Sequence, residues 1–151
     1  MELEIKKLDD KNIDEFINLI RVFEDVFEMK NFSMPDTKHL LHILQKKDFM
    51  VFVAVKENQL IGGLTAYTLE QYYSKKPLAY IYDLAVLTKY QRQGIGKKLI
   101  AAINNYCATQ GYEEVFVQAD KVDDYAIDFY RKTSITAEED VIHFYYKLDG
   151  K

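Results

Sequence analysis

The run Ala79-Tyr80-Ile81-Tyr82-Asp83-Leu84-Ala85-Val86-Leu87 and a stretch with helical periodicity are joined by the turn Gln91-Arg92-Gln93-Gly94-Ile95-Gly96. The first run is short, apolar and rich in aromatic and β-branched residues, which reads as a strand with a lone charge, Asp83. After the turn, Ile95, Leu99, Ala102, Ile103, Tyr106 and Cys107 recur at three- and four-residue steps, and Gly111 stands where a helix would end. The glycines therefore open a helix. Backbone N–H groups at a helix start have no intrahelical partner and carry about half a unit of positive charge, which suits a phosphate. Gly94 and Gly96 permit close approach, and Arg92, Lys97 and Lys98 add charge at the rim. An ordinary tight strand-to-helix connection would carry the same residues, so the turn alone does not name a ligand.

The remaining sequence alternates between strand and helix patterns. Glu2 to Leu8 reads as a strand. Asn12 with Glu15 resembles a capping box opening a helix whose apolar stripe is Ile13, Phe16, Ile17, Ile20, Phe23 and Phe27. Lys30 to Pro35 breaks that pattern, and Asp36 can cap a second helix with Leu40, Leu41, Ile43 and Leu44. Phe49 to Val55 and Leu60 to Leu69 form a hairpin around Glu57-Asn58, where Asn tolerates a left-handed backbone. Beyond the long helix, Glu114 to Ala119 is a strand, Asp123 or Asp124 caps a short helix through Arg131, and Val141 to Leu148 is expected as a final strand. The order is β-α-α-β-β-β-α-β-α-β, an α/β chain expected to form a single domain over residues 1–151.

At 151 residues with 48% hydrophobic and 29% charged side chains, the chain can bury a substantial core. Met1-Glu2-Leu3-Glu4-Ile5 has neither the basic nor the apolar region of a signal peptide, and no apolar run approaches membrane-spanning length, so a cytoplasmic location is expected. A net charge of −4 with scattered lysines argues against broad nucleic-acid binding. The lone cysteine, Cys107, excludes an internal disulfide and lies on an apolar helical stripe, where a buried small hydrophobe is expected rather than a nucleophile. No metal site is expected. Edge strands and exposed tyrosines are compatible with a homodimer.

The element order, together with a Gln/Arg-x-x-Gly-x-Gly turn between the fourth strand and third helix, resembles the GNAT superfamily of acetyl-CoA-dependent N-acetyltransferases. Ala126-Ile127-Asp128-Phe129-Tyr130-Arg131-Lys132 is similar to that superfamily's late helix, whose Ala-x-x-x-Tyr segment places a tyrosine near the coenzyme sulfur. A narrower resemblance, to GNAT-type aminoglycoside 3-N-acetyltransferases, is carried by several segments. These are Tyr80 to Val86, Arg92 to Ile95, Val117-Gln118-Ala119-Asp120 with Asp123-Asp124, and His143-Phe144; Ala66-Tyr67 and Pro35-Asp36 fit as well. Ser134 departs from the glycine that usually ends the late helix, and Asp123 from a common asparagine. The first departure bears on where that helix ends, the second on one pantetheine contact.

The resemblance implies a mixed, mostly antiparallel sheet flanked by helices, and acetyl-CoA as co-substrate. Its implied reaction is direct attack of a primary amine on the thioester, with no acyl-enzyme. Leu84, Ala85 and Val86 would offer backbone groups to the pantetheine arm and thioester oxygen, and Gln91, Arg92, Gln93, Gly94, Ile95, Gly96 and Lys97 would hold the phosphates. Asp83 is the candidate base and Tyr130 the candidate acid. A buried carboxylate satisfied by backbone or tyrosine, and a core tyrosine, are the structural alternatives. Tyr82, Asp120, Asp123 and Asp124 are the candidate contacts to a cationic aminoglycoside, although the aspartates also suit helix capping. Tyr72, Tyr73 and Tyr80 are further flat surfaces, and His143 is a secondary candidate. Another amine, from a polyamine to a protein amino terminus, and a catalytically idle acyl-CoA-binding module remain alternatives.

Overall fold

The computed structural model describes residues 2–150; Met1 and Lys151, the two ends of the expected domain, lie outside the described residues. Along the chain run β1 (Leu3–Lys7), α1 (Ile13–Val26), α2 (Thr37–Leu44), β2 (Phe49–Lys56), β3 (Gln59–Leu69) and β4 (Leu78–Val86). A 3-10 turn (Thr88–Tyr90), α3 (Ile95–Thr109), β5 (Glu114–Val117) and α4 (Asp124–Arg131) follow. Residues up to Gln118 form one compact unit and those from Ala119 a second.

The first unit is built on a sheet of order β1-β2-β3-β4-β5. The pairs β1–β2, β2–β3 and β3–β4 are antiparallel, whereas β4–β5 is parallel. A parallel pair needs a crossover rather than a hairpin, and α3 supplies it. Period-two alternation then assigns the faces. Phe49, Val51 and Val53 of β2 join Phe16, Leu19 and Phe23 of α1 and Leu40 and Leu44 of α2 in one apolar cluster. Phe52 points to the opposite face and meets Tyr106 of α3 with ring centroids 5.9 Å apart. On that side α3 buries Ile95, Leu99, Ile100, Ile103 and Cys107. Helices on both faces bury the middle of β2 and β3 on both sides, which is why their sequences show little polar alternation there.

Local chemistry sets most boundaries. Asp36 accepts from the His39 N–H at 2.8 Å and starts α2. Glu57 and Asn58 both have positive φ, 54° and 63°, the conformation a two-residue hairpin turn demands. At the end of α3, Gly111 takes φ +81°, the Tyr112 N–H donates to the Cys107 carbonyl (2.9 Å) and the Gly111 N–H to that of Ala108 (3.3 Å). This is a Schellman ending, so the expected stop signal operates as read. The expected capping box at α1 does not form: the Asn12 side-chain oxygen accepts from the Asp9 N–H behind it, while its amide donates to Glu15. Asp9 competes successfully because it lies three residues back, within reach of the same amide oxygen.

In the second unit Asp123 caps α4, its carboxylate accepting from the Ala126 N–H at 3.1 Å. The helix closes at Arg131, followed by tight turns from Lys132 to Phe129 and Thr133 to Tyr130 rather than a glycine stop. The expected final strand, Val141 to Leu148, is not formed. A strand exists only by pairing, and the unit from Ala119 onward holds no other strand among the described residues. Apolar alternation alone was therefore insufficient there.

Candidate active site

The β3–β4 ladder places Tyr67 opposite Tyr80 and Ala66 opposite Ile81, then Thr65 opposite Asp83, so Tyr82 is an extra residue in β4. That bulge determines where Asp83 points. Under strict alternation Asp83 would share the face of Ala79 and Ile81, both core residues. The inserted residue moves it to the face of Thr65, Tyr67 and Tyr80. There the carboxyl is only partly exposed, and burial pushes its pKa above the ordinary 3.8. A carboxylate held in this way is a better proton acceptor than one in water.

Aromatic rings surround it. Tyr67 stands edge-on to Tyr82 (5.6 Å, 89°), Tyr82 to Tyr80 (6.0 Å, 84°), and Tyr80 stacks on Phe116 of β5 (4.8 Å, 9°). The Tyr80 hydroxyl donates to Gln118 at 3.2 Å. At the inner end Tyr67 contacts Phe49, which contacts Phe16 of α1. The Tyr67 phenol is raised by burial first, and then by Tyr82, Asp83 and Asp48 nearby. Tyr72 and Tyr73 pair with each other in the β3–β4 loop.

Strand β4 also presents backbone. It pairs with β5 only from Leu78 to Ile81, so the ladder on that side ends before Tyr82. The Leu87 N–H donates to the Ile61 carbonyl at 2.8 Å, and alternation then turns the backbone groups of Leu84 and Val86 away from β3. Gln91 uses its amide to donate to the Val86 carbonyl at 2.9 Å, tying the glycine turn to this edge. An extended ligand with amide groups could pair along it as an added strand does.

The turn itself brings Gln91, Arg92, Gln93, Gly94, Ile95, Gly96 and Lys97 together at the mouth of α3. The first intrahelical bond is Lys98 N–H to Gly94 carbonyl, 3.0 Å, so the N–H groups of Ile95, Gly96 and Lys97 precede it. Gly94 adopts φ +79°, and a Cβ built there meets nothing within 4 Å. The side chain of Ile95 is core, 3% exposed, leaving it only its backbone to offer. Ala85 and Val86 are buried likewise.

The other candidates lie in the second unit. Asp123 and Asp124 are the cap and first residue of α4, and the Asp120 carbonyl accepts from the Asp123 N–H at 2.9 Å. Tyr130 is half-buried, its ring edge-on to Phe129 at 5.0 Å. His143 lies beside Tyr145 at 5.6 Å. Cys107 is 1% exposed and burial pushes its thiol up to about 11, which disfavours the nucleophilic thiolate. Among the described residues no group of three or more His, Cys, Asp or Glu is arranged to hold a metal, and no helix is long and apolar enough to cross a membrane. The sequence shows Tyr67 only within the Ala66-Tyr67 pair of the resemblance and gives it no role in the site, because its position beside Asp83 depends on a bulge that no glycine or proline marks.

The chain and its fold resemble proteins of known structure. An aminoglycoside acetyltransferase, meta-AAC0020 from an uncultured soil metagenomic sample, solved with sisomicin, is 64% identical. The likeness covers 97% of this chain and 96% of that one, with a TM-score of 0.96. A second aminoglycoside acetyltransferase from an uncultured soil metagenomic sample, HMB0005, is 29% identical over 98% and 99% of the two chains, with a TM-score of 0.91. N-alpha-acetyltransferase 50 of Danio rerio is 27% identical over 93 residues, 61% of this chain and 55% of the relative, so the match spans about half of that protein. The Acetyltransferase (GNAT) family profile matches residues 15–134. The fold is the GNAT fold, and the chain belongs to the GNAT acetyltransferase family.

Proposed function

We propose that this protein is a cytoplasmic enzyme that transfers the acetyl group of acetyl-CoA to a primary amine of an aminoglycoside. The observation that carries the acceptor is the 64% identity to an aminoglycoside acetyltransferase bound to sisomicin. The family profile runs from residue 15 to 134, across both compact units, which supports one catalytic domain rather than two.

The coenzyme's phosphates bind at the mouth of α3 on the N–H groups after Gly94, with Arg92 and Lys97 adding charge, and the pantetheine arm follows the open edge of β4. A backbone N–H from the Leu84 to Val86 segment polarises the thioester oxygen. Asp83, directly or through water, takes a proton from the substrate ammonium, and the freed amine attacks the carbonyl carbon. The C–N bond forms and the C–S bond breaks; the Tyr130 hydroxyl protonates the departing thiolate, and the second proton, lost from the acylated nitrogen, returns through solvent to the Tyr130 phenolate, while Asp83 releases its own proton to solvent. Tyr82 and the carboxylates Asp120, Asp123 and Asp124 attract the polycationic acceptor. Acetylation removes one ammonium charge from the antibiotic, so an antibiotic-resistance role follows from the same chemistry.

A coenzyme-release assay with a panel of 2-deoxystreptamine aminoglycosides tests this reading. Thiol release that depends on the aminoglycoside is the expected result; release with none of them, but with a polyamine or a peptide amino terminus, would transfer the protein to the alternative acceptor class.

A further inference from the structure

We propose that Tyr67, a residue with no part in the proton transfers above, is a positioning residue that, with Tyr80 on the other side of Tyr82, selects ring-bearing amine acceptors over flexible ones. This rests on the acetyl-transfer reading and names how its acceptor is held. In the row of rings on this face, Tyr67 contacts both the core ring of Phe49, at 5.2 Å, and the exposed ring of Tyr82, at 5.6 Å and 89°. Phe49 is 8% exposed, Tyr67 37% and Tyr82 59%, so the row rises from the core to solvent through Tyr67. An exposed tyrosine alone has free rotamers; one buttressed edge-on by an anchored neighbour presents a fixed face.

That face lies beside the proton acceptor. Tyr82 is the bulged residue immediately before Asp83, and Tyr67 shares its side of the sheet with Asp83 through the Thr65–Asp83 and Tyr67–Tyr80 register. A saturated aminosugar ring offers a flat C–H face for stacking and ammonium groups for the ring quadrupole. With one amine at Asp83, such a ring can lie over the fixed aromatic surface. A linear polyamine gains the ammonium contact but has no rigid ring face to match, so fixing Tyr82 benefits it less.

The test compares Tyr67→Phe and Tyr67→Leu with the parent, each checked for an unchanged circular dichroism spectrum and acetyl-CoA KM. Aminoglycoside and spermidine binding are measured by calorimetry, and aminoglycoside turnover by coenzyme release. Expected is a weakening of aminoglycoside affinity by about tenfold in Tyr67→Leu, seen in Kd and acceptor KM with kcat little changed. Tyr67→Phe should retain parental affinity, and spermidine binding should change less than about twofold. Equal losses for both ligands, loss in Tyr67→Phe, or an unchanged Kd in Tyr67→Leu would overturn the proposal. Should Tyr67→Leu fail to fold, Tyr82→Leu gives the same contrast between ligands, and equal effects on both overturn it. Absence of aminoglycoside turnover in the parent would count against the acetyl-transfer reading alone, since the binding contrast is measured without turnover.

Discussion

Replacing Gly94 separates backbone strain from ligand contact at the helix mouth. Gly94 has φ +79° and open space for a Cβ, so Gly94→Ala introduces no clash within the protein. Its cost is the left-handed conformation, about 1–2 kcal/mol for an L-residue. Alanine also stiffens the unfolded chain, which offsets roughly 0.4–1 kcal/mol. The net is about 1 kcal/mol, or a fall in Tm of about 2–4 °C at this chain length. Gly94→Asn should recover most of that fall, because Asn tolerates the left-handed region. Both variants nevertheless place a side chain beside the N–H groups of Ile95, Gly96 and Lys97, so both should raise the acetyl-CoA KM by about tenfold, equivalent to about 1.4 kcal/mol of binding. Differential scanning fluorimetry and steady-state kinetics give the two readouts. A parental acetyl-CoA KM in both variants would refute the phosphate assignment. A Tm loss above about 10 °C in Gly94→Ala would refute the strain estimate.

Other substitutions probe the remaining features. Asp83→Asn should lower kcat/KM by about 10²–10⁴-fold while acetyl-CoA still binds by calorimetry, and undiminished turnover would remove Asp83 as the base. The same variant has a pH signature: burial raises the folded pKa above the unfolded one, so the penalty for ionising Asp83 is absent below the unfolded value and develops as pH rises through the folded one. Asp83→Asn should therefore be more stable than the parent at neutral pH, with the difference vanishing in acid; a difference that grows in acid would reverse the sign. Gly63→Ala puts a Cβ 2.6 Å from the Phe52 carbonyl and 2.7 Å from Leu19, so urea unfolding should show a loss of about 1–3 kcal/mol, and parental stability would contradict the packing. Cys107→Ala should keep full kcat, since the thiol is buried and held near 11; lost turnover in a folded variant would implicate it. Asp36→Ala should cost about 1 kcal/mol in the same urea assay through the lost cap, and no change would discount the His39 N–H bond.

Features set by contiguous residues were legible in the sequence. The Asp36 cap, the left-handed Glu57-Asn58 pair, the Gly111 stop and the glycine turn each act within a few residues, and each occurs where the sequence places it. What escaped depends either on competition between neighbouring residues or on partners distant in sequence. Asn12 bonds backwards to Asp9 because two capping geometries compete for one side chain. The Tyr82 bulge arises from the register of β4 on β3, and with it the face on which Asp83 and Tyr67 meet. Val141 to Leu148 has strand composition but no strand to join within its unit.

The proposed enzyme takes acetyl-CoA as donor and an aminoglycoside as acceptor. This assignment is tested most directly by kcat/KM measured side by side for a 2-deoxystreptamine aminoglycoside, spermidine and a peptide with a free amino terminus, with the acetylated product identified by mass spectrometry. The expected result is a monoacetylated aminoglycoside and a kcat/KM at least about 100-fold above the other two acceptors, a difference of about 2.7 kcal/mol in transition-state binding. A higher kcat/KM for spermidine or the peptide, or no acetylated aminoglycoside, would contradict it.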